Sequence, residues 1–187
     1  MLQYIKEYGK YVETTGYQGI AFDAAEAFLK ANRKQTQQNV DIQFFDAQLI
    51  ATQEHLYFAT LNALQAFKNK TNLSKSPAME TILYASAQRQ IQRAIERCGI
   101  KPQTKSMAVI IIGEDPKQIQ NALQAVTKSA GTEPDASVLE MTKNKETKIK
   151  KAFEITDEEL KTLENGNQQK AIVNLVIERV ALLATQL

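Results

Sequence analysis

The sequence is poor in the residues that build catalytic and metal sites. Its 187 residues include one cysteine, Cys98, and one histidine, His55. A single thiol cannot close an internal disulfide, and these two side chains cannot assemble a thiolate–imidazole zinc site. We therefore interpret Cys98 as structural and expect neither a metal nor a cofactor.

Signatures of phosphate binding and of nucleophilic catalysis are missing as well. Only seven glycines occur, and none of them forms a GxGxxG or GxxxxGK[ST] loop, so nucleotide binding is unsupported. No GxSxG elbow accompanies His55, and a lone histidine at a helix start is more often structural than catalytic. We expect no catalytic residues. One alternative stays open, a small-molecule enzyme that uses Glu54 and His55 as an acid–base pair.

Long apolar runs are absent too. No run approaches the roughly 20 residues that span a bilayer. The start, MLQYIKEYGK, lacks the apolar region of a secretory signal. We expect a cytoplasmic protein, nuclear as well if the source is a eukaryote, with no membrane partner. The length, with 43% hydrophobic and 24% charged residues, fits one domain over residues 1–187.

Apolar patterns predict the strands. Residues 3–22 carry tyrosines punctuated by Gly9, Gly16 and Gly19, which is typical of short strands joined by turns. The period-two alternation of VDIQFFDA predicts a strand at 40–47. The β-branched run MAVIIIG indicates a central strand at 107–113, buried on both faces. A further strand is predicted at 136–141.

Helical periodicity and capping residues predict the helices. Asp23 precedes a short helix, and Thr52 precedes an amphipathic helix over residues 53–68. Ser76 and Pro77 open a helical pattern that reaches Gly99, and the lack of apolar anchors at 86–88 favours a break there. Further helices are predicted from Pro116 to Gly131, after the capping box of Thr156 and Glu159, and over residues 171–184.

Charge and hydropathy mark two parts of the chain as candidate surfaces. Residues 62–105 hold eight basic and two acidic side chains, a local excess that could face RNA phosphates or could simply be solvated. The closing helix at 171–184 is apolar on most sides, so it must be buried in the core or against a partner. The lysine-rich segment 143–151 is interpreted as an exposed linker or a solvated helix.

Three strings, in this order, resemble a known family. They are DIQFFDAQLIATQEHLYFATLNALQAF, SKSPAMETILYASAQRQIQRAIERCGI and IERVALL, which extend from about residue 40 to residue 183. Together they are similar to the small kinase-binding subunits of the KEOPS (EKC) complex, the TPRKB family. Two departures occur. Ala87 and Gln88 stand where the family often has a glycine-containing turn, and the lysine-rich segment 143–151 lengthens the C-terminal third.

The resemblance implies a fold and a function. The expected fold is a single α/β domain with a mostly antiparallel sheet flanked by helices. The expected partners are an atypical protein kinase, a threonylcarbamoyl-transferring ATPase reached through the complex, and tRNA, in which the complex makes threonylcarbamoyladenosine. Members of the family are auxiliary subunits that dock on the kinase, stimulate it and help recruit tRNA through its single-stranded 3′ end.

The resemblance and the two candidate surfaces together suggest site residues. For the kinase, the closing helix offers Ile177, Glu178, Arg179, Val180, Leu182 and Leu183. For tRNA, the basic region and its neighbours offer His55, Lys70, Lys75, Tyr84, Arg89, Gln90 and Arg93, with Tyr84 as a stacking platform. A structural adaptor that touches only proteins, with a merely solvated basic region, is a further alternative.

Overall fold

A computed structural model describes residues 1–20, 39–163 and 167–186. Within these residues four strands form one antiparallel sheet in the spatial order β1-β2-β4-β3. The strands are β1 (Leu2–Ile5), β2 (Lys10–Gln18), β3 (Val40–Asp46) and β4 (Ser106–Gly113). The predicted α/β class with an antiparallel sheet flanked by helices is confirmed.

The apolar run predicted as a central strand forms β4. This strand pairs with β2 on one side and with β3 on the other, so that Ile110 lies between Thr14 and Gln43. All eight of its residues are buried, as expected for a strand with both faces covered. β4 therefore separates the two apolar clusters of the protein.

Seven α-helices lie in the described residues. They are α1 (Gln53–Asn69), α2 (Pro77–Ala85), α3 (Ile91–Cys98), α4 (Pro116–Ala130), α5 (Lys143–Ala152), α6 (Asp157–Leu163) and α7 (Gln168–Leu183). α4 covers one face of the sheet through Ile119, Ala122 and Val126. The opposite face carries the larger cluster, which includes residues of α1, α2 and α7. None of these helices is long and apolar enough to cross a bilayer.

Helices α1 and α2 form an antiparallel hairpin whose starts follow the predicted capping residues. Thr52 Oγ1 accepts the amide of His55, and Ser76 Oγ accepts the amide of Met79 just ahead of Pro77. The predicted break after α2 is also present. There Ala87 takes a left-handed conformation with φ of 50°, which favours glycine.

Two predictions of local structure were wrong. Residues 136–139 form a 3₁₀ helix and not a strand, because the Asp135 carboxylate accepts the amide of Ser137 and starts a tight turn. Gly16 lies inside β2 and not in a turn. A Cβ there would come within 1.9 Å of Val138 Cγ2, so only glycine lets this 3₁₀ turn pack on the strand.

The lysine-rich segment forms α5, which agrees with a helix and not with a linker, but it is not solvated throughout. Lys145 is buried, and its Nζ donates to Ile50 O at 3.0 Å and to Val138 O. Burial lowers the pKa of Lys145 to about 8. The short helix predicted after Asp23 falls outside the described residues.

Candidate functional site

The His55 end of the α1–α2 hairpin is closed by hydrogen bonds inside the core. His55 Nδ1 accepts the amide of Ala51 at 3.2 Å, so Nε2 carries the proton that is donated to Ala85 O at 2.8 Å. The edge of the ring meets Phe153, with centroids 5.6 Å apart. Burial lowers the pKa of His55 to about 4, which keeps the imidazole neutral at pH 7.

Two expectations for His55 are corrected by this geometry. The side chain is fully buried and both of its nitrogens are occupied, so it has no hydrogen bond to offer RNA. Glu54 is exposed whereas its neighbour points inward, so the acid–base pair of the enzyme alternative is not brought together. His55 joins the start of α1 to the end of α2.

Tyr84 also lies in the interior. Its side chain is 2% exposed, and burial followed by the charge of Glu80 raises its pKa. A nucleotide base cannot stack on a ring that is covered by protein on both faces. The expectation that Tyr84 forms a stacking platform is therefore corrected, because this residue belongs to the apolar cluster between the helices and the sheet.

The other end of the hairpin is a short loop that presents basic side chains. We call residues 70–76 the α1–α2 loop. Lys70 and Lys75 are exposed in it, and Leu73 is 44% exposed between them. No hydrogen bond or ion pair joins either ammonium group to another described residue. The loop therefore offers two positive charges and one apolar side chain to solvent.

The remaining basic candidates lie beyond the opposite end of α2. Arg89, Gln90 and Arg93 are exposed where the chain enters α3. The nine residues of α2 separate them from the α1–α2 loop, a length of about 13 Å at 1.5 Å per helical residue. The candidate RNA contacts thus form two separate basic groups.

Helix α7 divides the candidate kinase contacts into buried and exposed sets. Val180 is 0% and Leu183 is 5% exposed, so both are corrected from interface residues to core residues. Leu182 is 47% exposed, Glu178 is exposed and Ile177 is half-buried. An α-helix turns 100° per residue, which places neighbours in sequence on different faces. Glu178 and Leu182, one helical turn apart, form an exposed stripe along the outer face of α7, and Ile177 lies at its edge.

Arg179 is half-buried and already engaged within the protein. Its Nη2 donates to Glu159 Oε1 at 2.8 Å, and its Nη1 donates to Leu175 O at 3.3 Å. Glu159 in turn completes the predicted capping box, in which it accepts the amide of Thr156 at 2.8 Å. Arg179 therefore fastens α6 to α7, and only its outer edge faces solvent.

A cavity of about 230 Å³ lies between the end of α2 and the end of α7. Its lining residues are Ala87, Gln88, Arg97, Phe153, Glu154, Arg179, Leu182 and Leu183. Arg97 holds this region together, because Nη1 donates to Ser86 O at 3.1 Å and the guanidinium lies 5.8 Å from the centre of the Phe153 ring. The cavity brings the exposed end of α7 next to the segment that leads to Arg89.

Sequence reasoning did not single out Gln88 and Arg97 as site residues. Arg97 lies one helical turn after Arg93, and that spacing was the available signal. Because the cavity also needs the two residues that follow α5 and residues of α7, no local pattern could have located it. Among the described residues no three His, Cys, Asp or Glu side chains are grouped to hold a metal ion. Burial raises the pKa of Cys98 to about 12, so its thiol stays protonated.

Comparisons with known proteins agree with the resemblance seen in the sequence. The family model described as kinase binding protein CGI-121 matches residues 23–184. The regulatory protein Cgi121 of Methanocaldococcus jannaschii is 33% identical over 141 residues, which cover 75% of this chain and 81% of that relative. A family match over most of the chain, supported by a relative at this identity, means that the chain belongs to the CGI-121 family of kinase-binding proteins.

Proposed function

We propose that the chain is a regulatory subunit of a KEOPS-type complex that binds and stimulates the complex's protein kinase and helps recruit tRNA. It performs no chemistry of its own, and it reaches the threonylcarbamoyl-transferring ATPase only through the assembly. We place it in the cytoplasm, and also in the nucleus if the source is a eukaryote. The observation that carries the proposal is the exposed stripe of α7 in a member of a kinase-binding family.

The α7 stripe has the composition of a small protein–protein contact. Leu182 supplies an exposed apolar side chain, Glu178 supplies charge one turn before it, and Ile177 adds a half-buried apolar side chain at the edge of the stripe. Interfaces are commonly dominated by a few apolar anchors surrounded by a polar rim. The cavity beside Leu182 gives a partner side chain a recess to enter.

The kinase proposal is tested by substituting Leu182. We expect Leu182→Glu to weaken capture of the kinase by at least roughly tenfold, the loss typical of removing one interface anchor. Leu163→Glu is the matched control, because Leu163 is a 43% exposed leucine on the neighbouring helix α6. Val180→Glu is unsuitable, because a carboxylate at a fully buried position would unfold the protein. Equal capture by both leucine variants would contradict the proposal.

The tRNA proposal rests on the two exposed basic groups, one in the α1–α2 loop and one at the start of α3. Each phosphate contact by a cation steepens the salt dependence of binding, with a slope near −0.7 per contact for a single strand. We expect Arg93→Ala to weaken tRNA binding and to flatten that slope, whereas Lys128→Ala on the opposite face of the sheet changes neither. Kinase binding without any salt-dependent RNA binding would favour the adaptor that touches only proteins.

A further inference from the structure

Glu80 is a buried carboxyl group that faces the backbone of the α1–α2 loop. It lies in the first turn of α2 and is 1% exposed. Its Oε2 accepts the amide of Ser74 at 2.7 Å, and both of its oxygens lie 3.1 Å from the amide nitrogen of Leu73. A buried carboxyl group is costly unless such donors satisfy it. The amides of Leu73 and Ser74 therefore stabilise the Glu80 carboxyl group in its buried position.

Other hydrogen bonds join residues of the loop to one another and to the end of α1. Asn72 Nδ2 donates to Ser74 O at 2.9 Å, and Ser74 Oγ donates to Ser76 O at 2.9 Å. Lys70 enters the loop in a left-handed conformation with φ of 59°, and the amide of Thr71 donates to Ala66 O at 2.9 Å. The loop backbone thus turns inward toward Glu80.

This inward backbone leaves four loop residues exposed. They are Lys70, Thr71, Leu73 and Lys75, with the leucine between the two lysines. An acid on the surface here would pair with a lysine and cancel its charge. Glu80 instead lies beneath the loop with its oxygens directed at the amides of Leu73 and Ser74, so both ammonium groups keep their charge for a partner.

Ordering a loop has a thermodynamic cost that a binding partner would otherwise bear. Fixing a residue's backbone costs conformational entropy, and ordering before binding raises affinity by removing that cost from the binding step. Because Glu80 orders the loop in the free protein, the lysines are already placed when a polyanion arrives.

We infer that Glu80 is a positioning residue for tRNA binding, which holds the α1–α2 loop so that Lys70 and Lys75 meet phosphates on either side of Leu73. This inference rests on the proposed tRNA function. It assigns no contact between Glu80 and RNA, since the carboxyl group acts only through the loop backbone.

The inference is tested with Glu80→Ala and Glu80→Gln in the full chain, using a tRNA transcript as the probe. We expect Glu80→Ala to weaken tRNA binding about tenfold, the equivalent of one well-placed charged contact. Glu80→Gln keeps one carbonyl oxygen as an acceptor and should weaken binding less. Glu96→Ala is the matched control, because Glu96 is an exposed acid in the same basic region, and we expect binding that is unchanged or slightly tighter.

Two further readouts distinguish positioning from a general loss of stability. Amide hydrogen exchange at Leu73 and Ser74 should become faster in Glu80→Ala, while kinase capture stays unchanged. In a double-mutant cycle, Lys75→Ala should weaken tRNA binding less in the Glu80→Ala background than in the wild type. The reason is that Lys75 already makes a weaker contact with tRNA when the loop no longer holds it in position.

The outcomes separate the inference from the proposed function. If the wild-type chain does not bind tRNA, the proposed function fails and the inference fails with it. If the wild type binds, but Glu80→Ala binds equally well or its effect simply adds to that of Lys75→Ala, the inference alone is overturned. If Glu80→Ala does not fold, the same comparisons made with Glu80→Gln decide the question.

Discussion

The two ends of the α1–α2 hairpin are each closed by one buried polar side chain, yet they present different surfaces. At one end His55 bonds to Ala51 and Ala85 and lies against Phe153 in the core. At the other end Glu80 bonds to the amides of Leu73 and Ser74 and leaves a charged loop in solvent. We call the His55 end, which lies in the core, the sealed end. We call the Glu80 end, which exposes a charged loop, the displayed end.

The difference shows how to interpret a polar residue in a binding protein. His55 and Glu80 are both buried and bonded to backbone groups, so neither side chain can reach a partner. At the Glu80 end, a partner can contact the exposed side chains of the loop, Lys70, Leu73 and Lys75. At the His55 end the buried imidazole contributes stability, and the basic side chains nearest to it, Arg89 and Arg93, lie beyond the turn at Ala87.

The largest effect we expect comes from removing the side chain at the sealed end. His55→Ala leaves a buried amide and a buried carbonyl without partners and opens a cavity beside Phe153. We expect the free energy of unfolding to fall by about 3 to 4 kcal/mol. Urea denaturation measures this change. Glu54→Ala on the exposed face of the same turn should change it by less than about 0.5 kcal/mol, and a similar loss in both variants would contradict the comparison.

The sealed end should also make stability depend on pH. The pKa of His55 is lowered to about 4 in the folded protein, against about 6.5 in the unfolded chain. As pH falls, the unfolded chain binds the proton before the folded protein does. His55 therefore leaves the free energy of unfolding nearly unchanged above pH 6.5 and lowers it increasingly from pH 6.5 toward pH 4. Between pH 7 and pH 5 we expect the free energy of unfolding to fall by about 2 kcal/mol.

His55→Gln removes the titrating group and serves as the control for this pH dependence. Urea denaturation at pH 7, 6 and 5 should show an almost flat profile for the variant, because His55 is the only histidine in the chain. A wild-type profile that is equally flat would contradict the burial of a neutral imidazole.

A smaller effect on stability is expected at the displayed end. Glu80→Ala frees the amides of Leu73 and Ser74. Ser74 is buried, but Leu73 is 44% exposed, so water can replace the hydrogen bond that its amide loses. We expect a decrease of about 1 to 2 kcal/mol in the free energy of unfolding, below that for His55→Ala. Thermal and urea denaturation of the two variants side by side would show whether this order holds. The reverse order would break the comparison.

The smallest effect concerns the turn that follows the sealed end. Ala87 has a left-handed φ of 50°, which an alanine adopts with strain and a glycine without it. We expect Ala87→Gly to raise the free energy of unfolding by about 0.5 to 1 kcal/mol. Ala125→Gly inside α4 should instead lower it by about 1 kcal/mol. A loss of stability in both variants would indicate that the turn is not strained.

Much of the fold could be predicted from local patterns. The alternation at residues 40–47, the apolar run of β4 and the caps at Thr52 and Ser76 correspond to elements found in the structure. Each of these signals lies within a few residues of the element it specifies. The strand predicted at residues 136–141 was wrong, because the carboxylate of Asp135 caps a 3₁₀ helix there and this outweighs the β-propensity of the segment.

The site was harder to predict because burial depends on residues distant in sequence. Tyr84 and Val180 lie on helices whose partners the sequence does not reveal, and both are in the core. Lys145 is buried, and its ammonium group donates to the carbonyls of Ile50 and Val138, the first of which is 95 residues away. Periodicity gives the face of a helix, but not which neighbouring element covers it.

Our central proposal is that this chain binds a kinase through α7 and RNA through its basic surfaces. Hydrogen exchange of the full chain, measured alone, with the purified kinase and with tRNA, tests it most directly. We predict that the kinase slows exchange in the last two turns of α7, and that tRNA slows exchange in the α1–α2 loop and at the start of α3. Exchange that neither partner slows in any of these segments would contradict the claim.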